Sequence, residues 1–208
     1  MLTRKIYTAP AVEPITVTEA KEHCRVDHAE HDAILFPRLI AAAREYVEDV
    51  TSRRLITQVW DVYLDCFPYW AHLKLPFGAL QAVGTFEWTD SAGATSSWTY
   101  SSGNLVAGST VMAHVDIIND PGLIRLAYGQ YWPTVTLKTS NPIHVRFTCG
   151  YGADGSYVPA SLRSAMLLLI DHWLRNTSAV TTAQAQGSVD SKPLAMAVDS
   201  LIANYRLY

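Results

Sequence analysis

Leu39, Ala43, Tyr46, Val47 and Val50 recur at spacings of three and four, which predicts an amphipathic helix ending near Thr51. Ahead of it, Thr16-Val17-Thr18-Glu19 has the form of a capping box. The Thr16 hydroxyl is placed to accept from the Glu19 backbone N–H, and the Glu19 carboxylate to accept from that of Thr16. A helix of about two turns, to near Arg25, is expected to follow. Polar residues from Asp27 to Asp32 separate the two helices, and Pro37 lies inside the second pattern. Proline removes a backbone donor and crowds the carbonyl four residues earlier, so a kink or a fresh helix start is expected there.

From Leu55 the period changes to two. Trp60, Val62 and Leu64 face one way and Val59, Asp61 and Tyr63 the other, as a strand requires. Further strands are predicted over His72 to Leu75, Ala82 to Thr89, Ser96 to Tyr100, Ala113 to Ile117, Gly122 to Ala127 and Ile143 to Cys149. Turn signals such as Asp90-Ser91-Ala92-Gly93 and Asn119-Asp120-Pro121-Gly122 separate them. Residues 56 to 150 hold 14 of the 22 aromatic residues but only 10 of the 35 charged ones, which marks them as a distinct β module set between helices.

The helical period then returns. Pro159 suits a first turn, and Leu162, Ala165, Met166, Leu169 and Trp173 form a stripe, with Leu167, Leu168 and Ile170 on the other faces. A helix apolar nearly all round is expected at the centre of a core. Residues 177 to 192 lack an apolar period and read as a flexible link. Leu194, Val198, Leu201, Ile202 and Tyr205 then share one face of a short terminal helix, expected to be tethered to the body rather than integral to it. The fold class is therefore α+β. A small helical bundle is expected from residues 1–55 and 157–208, the latter ending in a C-terminal arm, with an antiparallel β module inserted at 56–156.

At 208 residues the chain is long enough to bury a substantial core, and 49% apolar with 17% charged residues is an ordinary globular composition. A net charge of −3 and the absence of a basic run argue against a surface that grips phosphates. The longest apolar stretch, Ala165 to Ile170, is far short of a bilayer span, and the polar start Met1-Leu2-Thr3-Arg4-Lys5 lacks an apolar signal core. Cytoplasmic synthesis and no membrane association are expected. Three widely spaced cysteines, Cys24, Cys66 and Cys149, fit reduced and mostly buried thiols. Without a secretory signal, the sequon at Asn176 would not be used.

Candidate chemistry changes this picture little. Gly150-Tyr151-Gly152-Ala153-Asp154-Gly155 spells a dinucleotide-binding glycine pattern. Ser156, Tyr157 and Val158 nevertheless intervene before the helix, which would keep its N-terminus from a pyrophosphate; a strand-to-helix corner is the better reading. His23, Cys24, Asp27, His28, His31 and Asp32 crowd potential ligands into ten residues, but a closed zinc site needs about four convergent ligands and no second cluster completes one. No metal or other cofactor is expected. No hydrolase elbow, zinc-protease helix or phosphate loop occurs, and no catalytic residue is assigned. Asp61, Asp65, Glu87, Asp90, Asp116 and Asp120 are expected mostly as solvated residues at strand ends and turns. Trp60, Trp70, Trp88, Trp98 and Trp132 could line a sugar-binding surface, but core placement is favoured because aromatic residues suit strands and interiors.

The stretches Ile15-Thr16-Val17-Thr18-Glu19-Ala20-Lys21-Glu22-His23-Cys24-Arg25-Val26 and Leu39-Ile40-Ala41-Ala42-Ala43-Arg44-Glu45-Tyr46-Val47-Glu48 resemble the opening of the head-to-tail connector (adaptor) proteins of tailed bacteriophages. Leu73-Lys74-Leu75-Pro76, Tyr128 to Pro133 and Val145 to Gly152 are similar to the β insertion of that family. Val158-Pro159 with Ala165 to Trp173, and Leu201 to Arg206, resemble its last two helices. The sequence departs from the family at Cys24, where Leu is usual, at Pro37, and at Trp173 to Asn176, where a Tyr is expected. The resemblance implies a structural, non-enzymatic virion protein at the head-tail joint, assembled in the host bacterial cytoplasm. Its partners would be the portal protein on one side, a stopper or tail-completion protein on the other, and itself, in a ring commonly of twelve subunits through which packaged DNA passes without sequence-specific binding. Under this reading Leu194, Val198, Leu201, Ile202, Tyr205 and Arg206 form the portal-docking arm. The rival reading is a tail-associated carbohydrate-binding module or glycan-active enzyme built on the aromatic β region.

Overall fold

The structure, a computed structural model, describes residues 2–27, 29, 32–176 and 191–207. It is α+β, with nine strands and four α-helices among the described residues. In chain order these are β1 (Leu2–Thr8), α1 (Val17–Cys24), α2 (Leu35–Thr51), β2 (Gln58–Leu64), β3 (His72–Lys74), β4 (Leu80–Thr89), β5 (Thr95–Ser101), β6 (Asn104–Ala107), β7 (Thr110–Asp116), β8 (Leu123–Leu126), β9 (Ile143–Cys149), α3 (Ala160–Arg175) and α4 (Ser191–Ile202). They form two compact units, one from Met1–Ala11 and Thr57–Tyr151, the other from Val12–Ile56 and Gly152–Arg206.

In the helical unit, α3 touches each of the other three helices, and Leu162, Ala165, Met166, Leu169 and Ile170 are buried on it. It is the central helix that its all-round apolar pattern predicts. α1 begins at the expected capping box, with both reciprocal bonds present. α2 starts at Leu35, so Pro37 sits in its first turn, where an N–H has no intrahelical acceptor to lose. The fresh start, and not the kink, is what forms. At the far end of α2 lies a buried polar knot. Glu48, 2% exposed, takes bonds from Arg44 Nη1 (3.3 Å), Arg54 Nη1 (3.2 Å) and the Leu55 backbone N–H (2.8 Å). Arg44 also donates to Glu13 at 2.9 Å. Burial pushes the Glu48 carboxyl above its ordinary range, against the pull of the Leu55 N–H and the two guanidinium groups.

The other unit is a single antiparallel sheet in the order β1-β2-β9-β4-β5-β6-β7-β8-β3. Its core face carries Val62, Leu64, Phe86, Trp88, Trp98, Leu105, Val145 and Phe147. Trp60 packs against that core on the same face as Val62 and Leu64, as the period of two predicts. Two strands had no counterpart in the sequence pattern. β6 lies between two tight hairpins, with Ser102 and Gly103 both at positive φ (49° and 81°) and Gly108 at 62°. β1 pairs with β2 along its length, from Leu2 opposite Leu64 to Thr8 opposite Val59.

The sheet must curl. β2 and β3 stand seven strand positions apart, which in a flat sheet would separate them by about 33 Å. Residues 65–71 join them, and even a fully extended chain of that length reaches only about 28 Å. Ring contacts show the result. Trp60 of β2 lies 4.6 Å, centroid to centroid, from Phe77, three residues past β3, and Arg4 of β1 sits 5.4 Å from the same ring. β1 and β3 nevertheless do not pair with each other, and each is an edge.

Candidate functional site

The residues expected to form a docking arm are only partly free to do so. On α4, Val198 is 2% and Ile202 0% exposed, and the helix packs on α3. The turn after it is held from two sides. Ser161 Oγ donates to the Tyr205 hydroxyl at 3.2 Å, and Arg53 Nε to the Tyr205 carbonyl at 2.6 Å. Leu201 and Tyr205 are half-buried, while Arg206 is exposed and pairs with Asp199 at 2.8 Å. The side chain of Leu194 lies outside the described residues. The expectation of a helix merely tethered to the body is therefore corrected, because its apolar face is covered by its own chain. An i, i+3, i+4, i+7 pattern marks an apolar face and says nothing of which molecule covers it.

The glycine pattern is a corner, as expected. Gly150 has a φ of 132° and directly follows β9. A side chain at Gly152 would strike the Tyr157 ring, and one at Gly155 the Pro14 backbone. A short 3₁₀ turn over Gly155–Tyr157 stands before α3. Of the potential metal ligands, His28 and His31 lie outside the described residues, His23 is exposed, and Asp32 accepts from Lys21 Nζ at 2.9 Å. Among the described residues no three His, Cys, Asp or Glu side chains gather as a metal site. Cys24 and Cys149 are buried, Cys66 is exposed, and all three are free thiols.

The tryptophans are mostly core. Trp88 and Trp98 are 7% and 4% exposed, and Trp60 and Trp132 pack against the same cluster. Phe86 stacks on Trp98 at 5.0 Å, and Phe67 on Trp132 at 5.7 Å. Trp70 alone of the five singled out is largely exposed, beside exposed Tyr69.

Two of the carboxylates expected at the surface form a site that sequence reading missed. Asp61 lies mid-strand in β2, 4% exposed, and receives Arg146 Nε at 2.7 Å and Nη2 at 3.0 Å. His144 bridges the two acids, with Nε2 3.0 Å from Asp61 and Nδ1 2.8 Å from Glu87. Tyr63 stacks on the His144 ring at 4.9 Å, and Tyr7 lies under the Arg146 guanidinium at 3.4 Å. Burial works to raise the Asp61 carboxyl, but the bonds from Arg146 and His144 outweigh it and hold the group below the usual carboxylate range. All of these side chains are on the sheet face opposite the apolar core. Asp61 faces Arg146 and Tyr63 faces His144 directly across the ladder, a register that one strand's pattern cannot reveal. The remaining acids lie at strand ends or in turns, as expected; Asp90, for example, accepts from the Ala92 and Ala94 N–H groups.

Residues 14–86 match the family model described as Phage gp6-like head-tail connector protein. This is the connector family that the sequence resembles, and the stretches quoted from Ile15 to Pro76 fall inside the match, while those from Tyr128 onward lie beyond it. No curated protein matches the chain at a significant level. Among solved structures, a chain from the neck of an empty GTA particle computed with C6 symmetry is 23% identical, with a TM-score of 0.70, over 99% of this chain and 96% of that one. A chain from the neck of the native GTA particle computed with C12 symmetry is 22% identical, with a TM-score of 0.66, over 100% and 96%. A chain from the virion of the native gene transfer agent (GTA) particle is 20% identical at the same TM-score, over 99% and 96%. The fold is thus shared along essentially the whole of both chains.

Proposed function

We propose that this chain is a head-to-tail connector subunit, a non-enzymatic virion protein that forms a ring under the portal and joins capsid to tail. The observation that carries this reading is the combination of a connector-family match over residues 14–86 with a fold shared end to end with neck chains of phage-like particles. Those necks were computed with C6 and C12 symmetry, which favours a ring, here of twelve subunits, built from heterologous contacts that close. In this reading the helical unit, Val12–Ile56 with Gly152–Arg206, is the connector core and Thr57–Tyr151 an insertion into it; the expected core boundary at residue 1 moves, because Met1–Ala11 carries β1 and belongs with the sheet. The portal lies on one side of the ring and a stopper or tail-completion protein on the other. A net charge of −3 per subunit suits a passage along which DNA phosphates slide without sticking.

The portal-facing surface is proposed to include the terminal segment, with a division of labour inside it. Val198 and Ile202 seat the helix on its own body, which leaves the half-buried Leu201 and Tyr205 and the exposed Arg206 for the partner; Leu194 is proposed beside them on the sequence pattern alone. Electron microscopy of the protein mixed with its portal should show a ring docked on the portal. In a pull-down, Leu201→Asp with Arg206→Glu should weaken portal capture while leaving the melting temperature near that of the parent. Undiminished capture by the doubly substituted protein would move the portal contact elsewhere. The carbohydrate-binding alternative loses its main support, since Trp88 and Trp98 are buried and Trp60 and Trp132 pack on the core.

A further inference from the structure

The curled sheet has a seam that its own strands leave open. Among the described residues β1 is paired only with β2, and β3 only with β8, so each is an edge of the sheet. Leu2, Arg4 and Ile6 stand opposite Leu64, Val62 and Trp60 and therefore point to the core side of the sheet. Yet Leu2 and Ile6 remain 40% and 42% exposed, so the apolar face runs past its cover here. Beside them is a cavity of about 510 Å³ whose lining includes Leu2, Leu64 and Phe67 together with Leu73 and Lys74 of β3. Free N–H and C=O groups next to an uncovered apolar face are what an added strand satisfies, the backbone by pairing and alternate side chains by filling the cavity.

The charges around the seam choose between occupants. Arg4 and Lys5 lie on β1, His72 and Lys74 on β3, and Asp65 is the one acidic residue in the cavity lining. Two copies meeting edge to edge through β1 would bring Arg4 and Lys5 against their like, which disfavours that pairing. A strand alternating apolar and acidic residues would instead place its apolar side chains toward Leu2 and Ile6 and its carboxylates on the other face, toward Lys5, His72 and Lys74, with Arg4 on the apolar side adding to the positive potential.

We infer that the seam between β1 and β3 is a docking site for an extended, acidic segment of a partner chain, held by strand addition to β1. The inference rests on the sheet alone and stands whether or not the chain is a connector. The test uses the full chain and four synthetic octapeptides: alternating Val and Glu, alternating Val and Lys, and two forms of the Val-Glu peptide N-methylated at every second amide, one in each register. Calorimetry should give micromolar binding of the first. Binding should weaken by at least about tenfold for the lysine peptide, for at least one of the two possible N-methylated registers, and for the Arg4→Glu/Lys5→Glu protein. Hydrogen exchange should show amides between Thr3 and Tyr7 gaining protection when the first peptide binds. If the substituted protein misfolds, the three control peptides on the parent protein still decide. Absence of binding by the Val-Glu peptide at about 1 mM, equal binding by the lysine peptide, indifference to N-methylation in both registers, or a protein that dimerises through β1 would each overturn the inference.

Discussion

The two units solve the problem of a unique core in opposite ways. In the helical unit polarity is inside, where Glu48, Arg44 and Arg54 meet under the end of α2 at 2%, 9% and 8% exposure. In the sheet the core face is apolar and aromatic, and the buried charge, Asp61, lies on the opposite face under Arg146. Stacked aromatic rings fix a sheet by shape, since each strand already has its register set by the ladder. Helices that can slide along one another gain from a group that tolerates only one arrangement. On this view the Glu48 knot sets how the segment after α2 leaves the helix, a hypothesis about specificity more than about stability.

The sharpest way to break the comparison is in the aromatic core. Trp98 contacts Phe86, Trp88 and Trp132, and Trp98→Ala is expected to destabilise the sheet by about 4 kcal/mol. Hydrogen exchange should show the loss concentrated in β4, β5 and β9, with α3 amides unchanged. Equal loss in both units would mean that they unfold together. Glu48→Ala should cost slightly less, about 3 kcal/mol, because it removes the buried carboxylate that Arg44 and Arg54 share, while Arg44 keeps Glu13. Its loss should appear in α2 and spare the sheet. Replacing Arg44, Glu48 and Arg54 together by apolar residues of similar size should recover much of that stability, but with broadened signals around Leu55 if the knot confers uniqueness.

Much of this division was legible in the sequence, and what was not has physical reasons. Capping chemistry and helical period located α1, α2 and α3 because both signals are local. The paired edges of β9, Ile143–Cys149, coincide with the predicted strand because its apolar residues alternate without interruption. β1 escaped because all seven of its side chains are exposed, so no burial pattern is imprinted on it. β6 is only four residues long, and its signals are the Ser102-Gly103 and Gly108 turns more than the strand. The Asp61 site depends on which strands become neighbours, here β2 with β9 and β9 with β4, a property of topology that no single segment encodes. The terminal helix was read correctly as amphipathic, but as tethered rather than integral, whereas its apolar face packs on α3, which is apolar on more than one face.

That attachment makes the next prediction. Ile202→Ala should cost about 2 kcal/mol, the low end for a buried aliphatic truncation, because α4 is peripheral and can settle. Removal of residues 194–208 should lower the melting temperature of the helical unit and leave the sheet unaffected. A truncated protein as stable as the parent would restore the picture of a loosely tethered arm.

A smaller effect, confined to acid, separates the sheet. The Asp61 carboxyl is held below its ordinary value of about 3.9, so the folded sheet binds its proton less tightly than the unfolded chain does. The stabilisation is complete above the unfolded value and is lost as pH falls through the folded one. Melting temperature should therefore drop below about pH 4 in the parent. Asp61→Asn should be less stable at neutral pH and show a flatter acid limb. Parallel curves for the two proteins would remove Asp61 from the account.

The helical unit has its own acid-sensitive group, and it should give the smallest change. At the start of α1, Glu19 accepts from the Thr16 backbone N–H at 2.9 Å, and the Thr16 hydroxyl takes the Glu19 N–H at 3.2 Å. The Thr16 N–H is the main cause holding the Glu19 carboxyl below its ordinary range; burial opposes it, and the Thr16 hydroxyl and Arg163 of α3 add to the lowering. The box thus ties α1 to α3 as well as capping it. Thr16→Ala should cost about 1 kcal/mol near neutral pH, a typical loss for an N-cap. Because the Glu19 value is depressed, its share of that stability is present above the unfolded carboxylate range and disappears as pH falls through the folded value. The difference in melting temperature between parent and Thr16→Ala should therefore narrow below about pH 4. Glu19→Gln should combine with Thr16→Ala less than additively, since each breaks the same reciprocal pair. Full additivity across the whole pH range would mean that Thr16 caps α1 on its own and that Glu19 serves only Arg163.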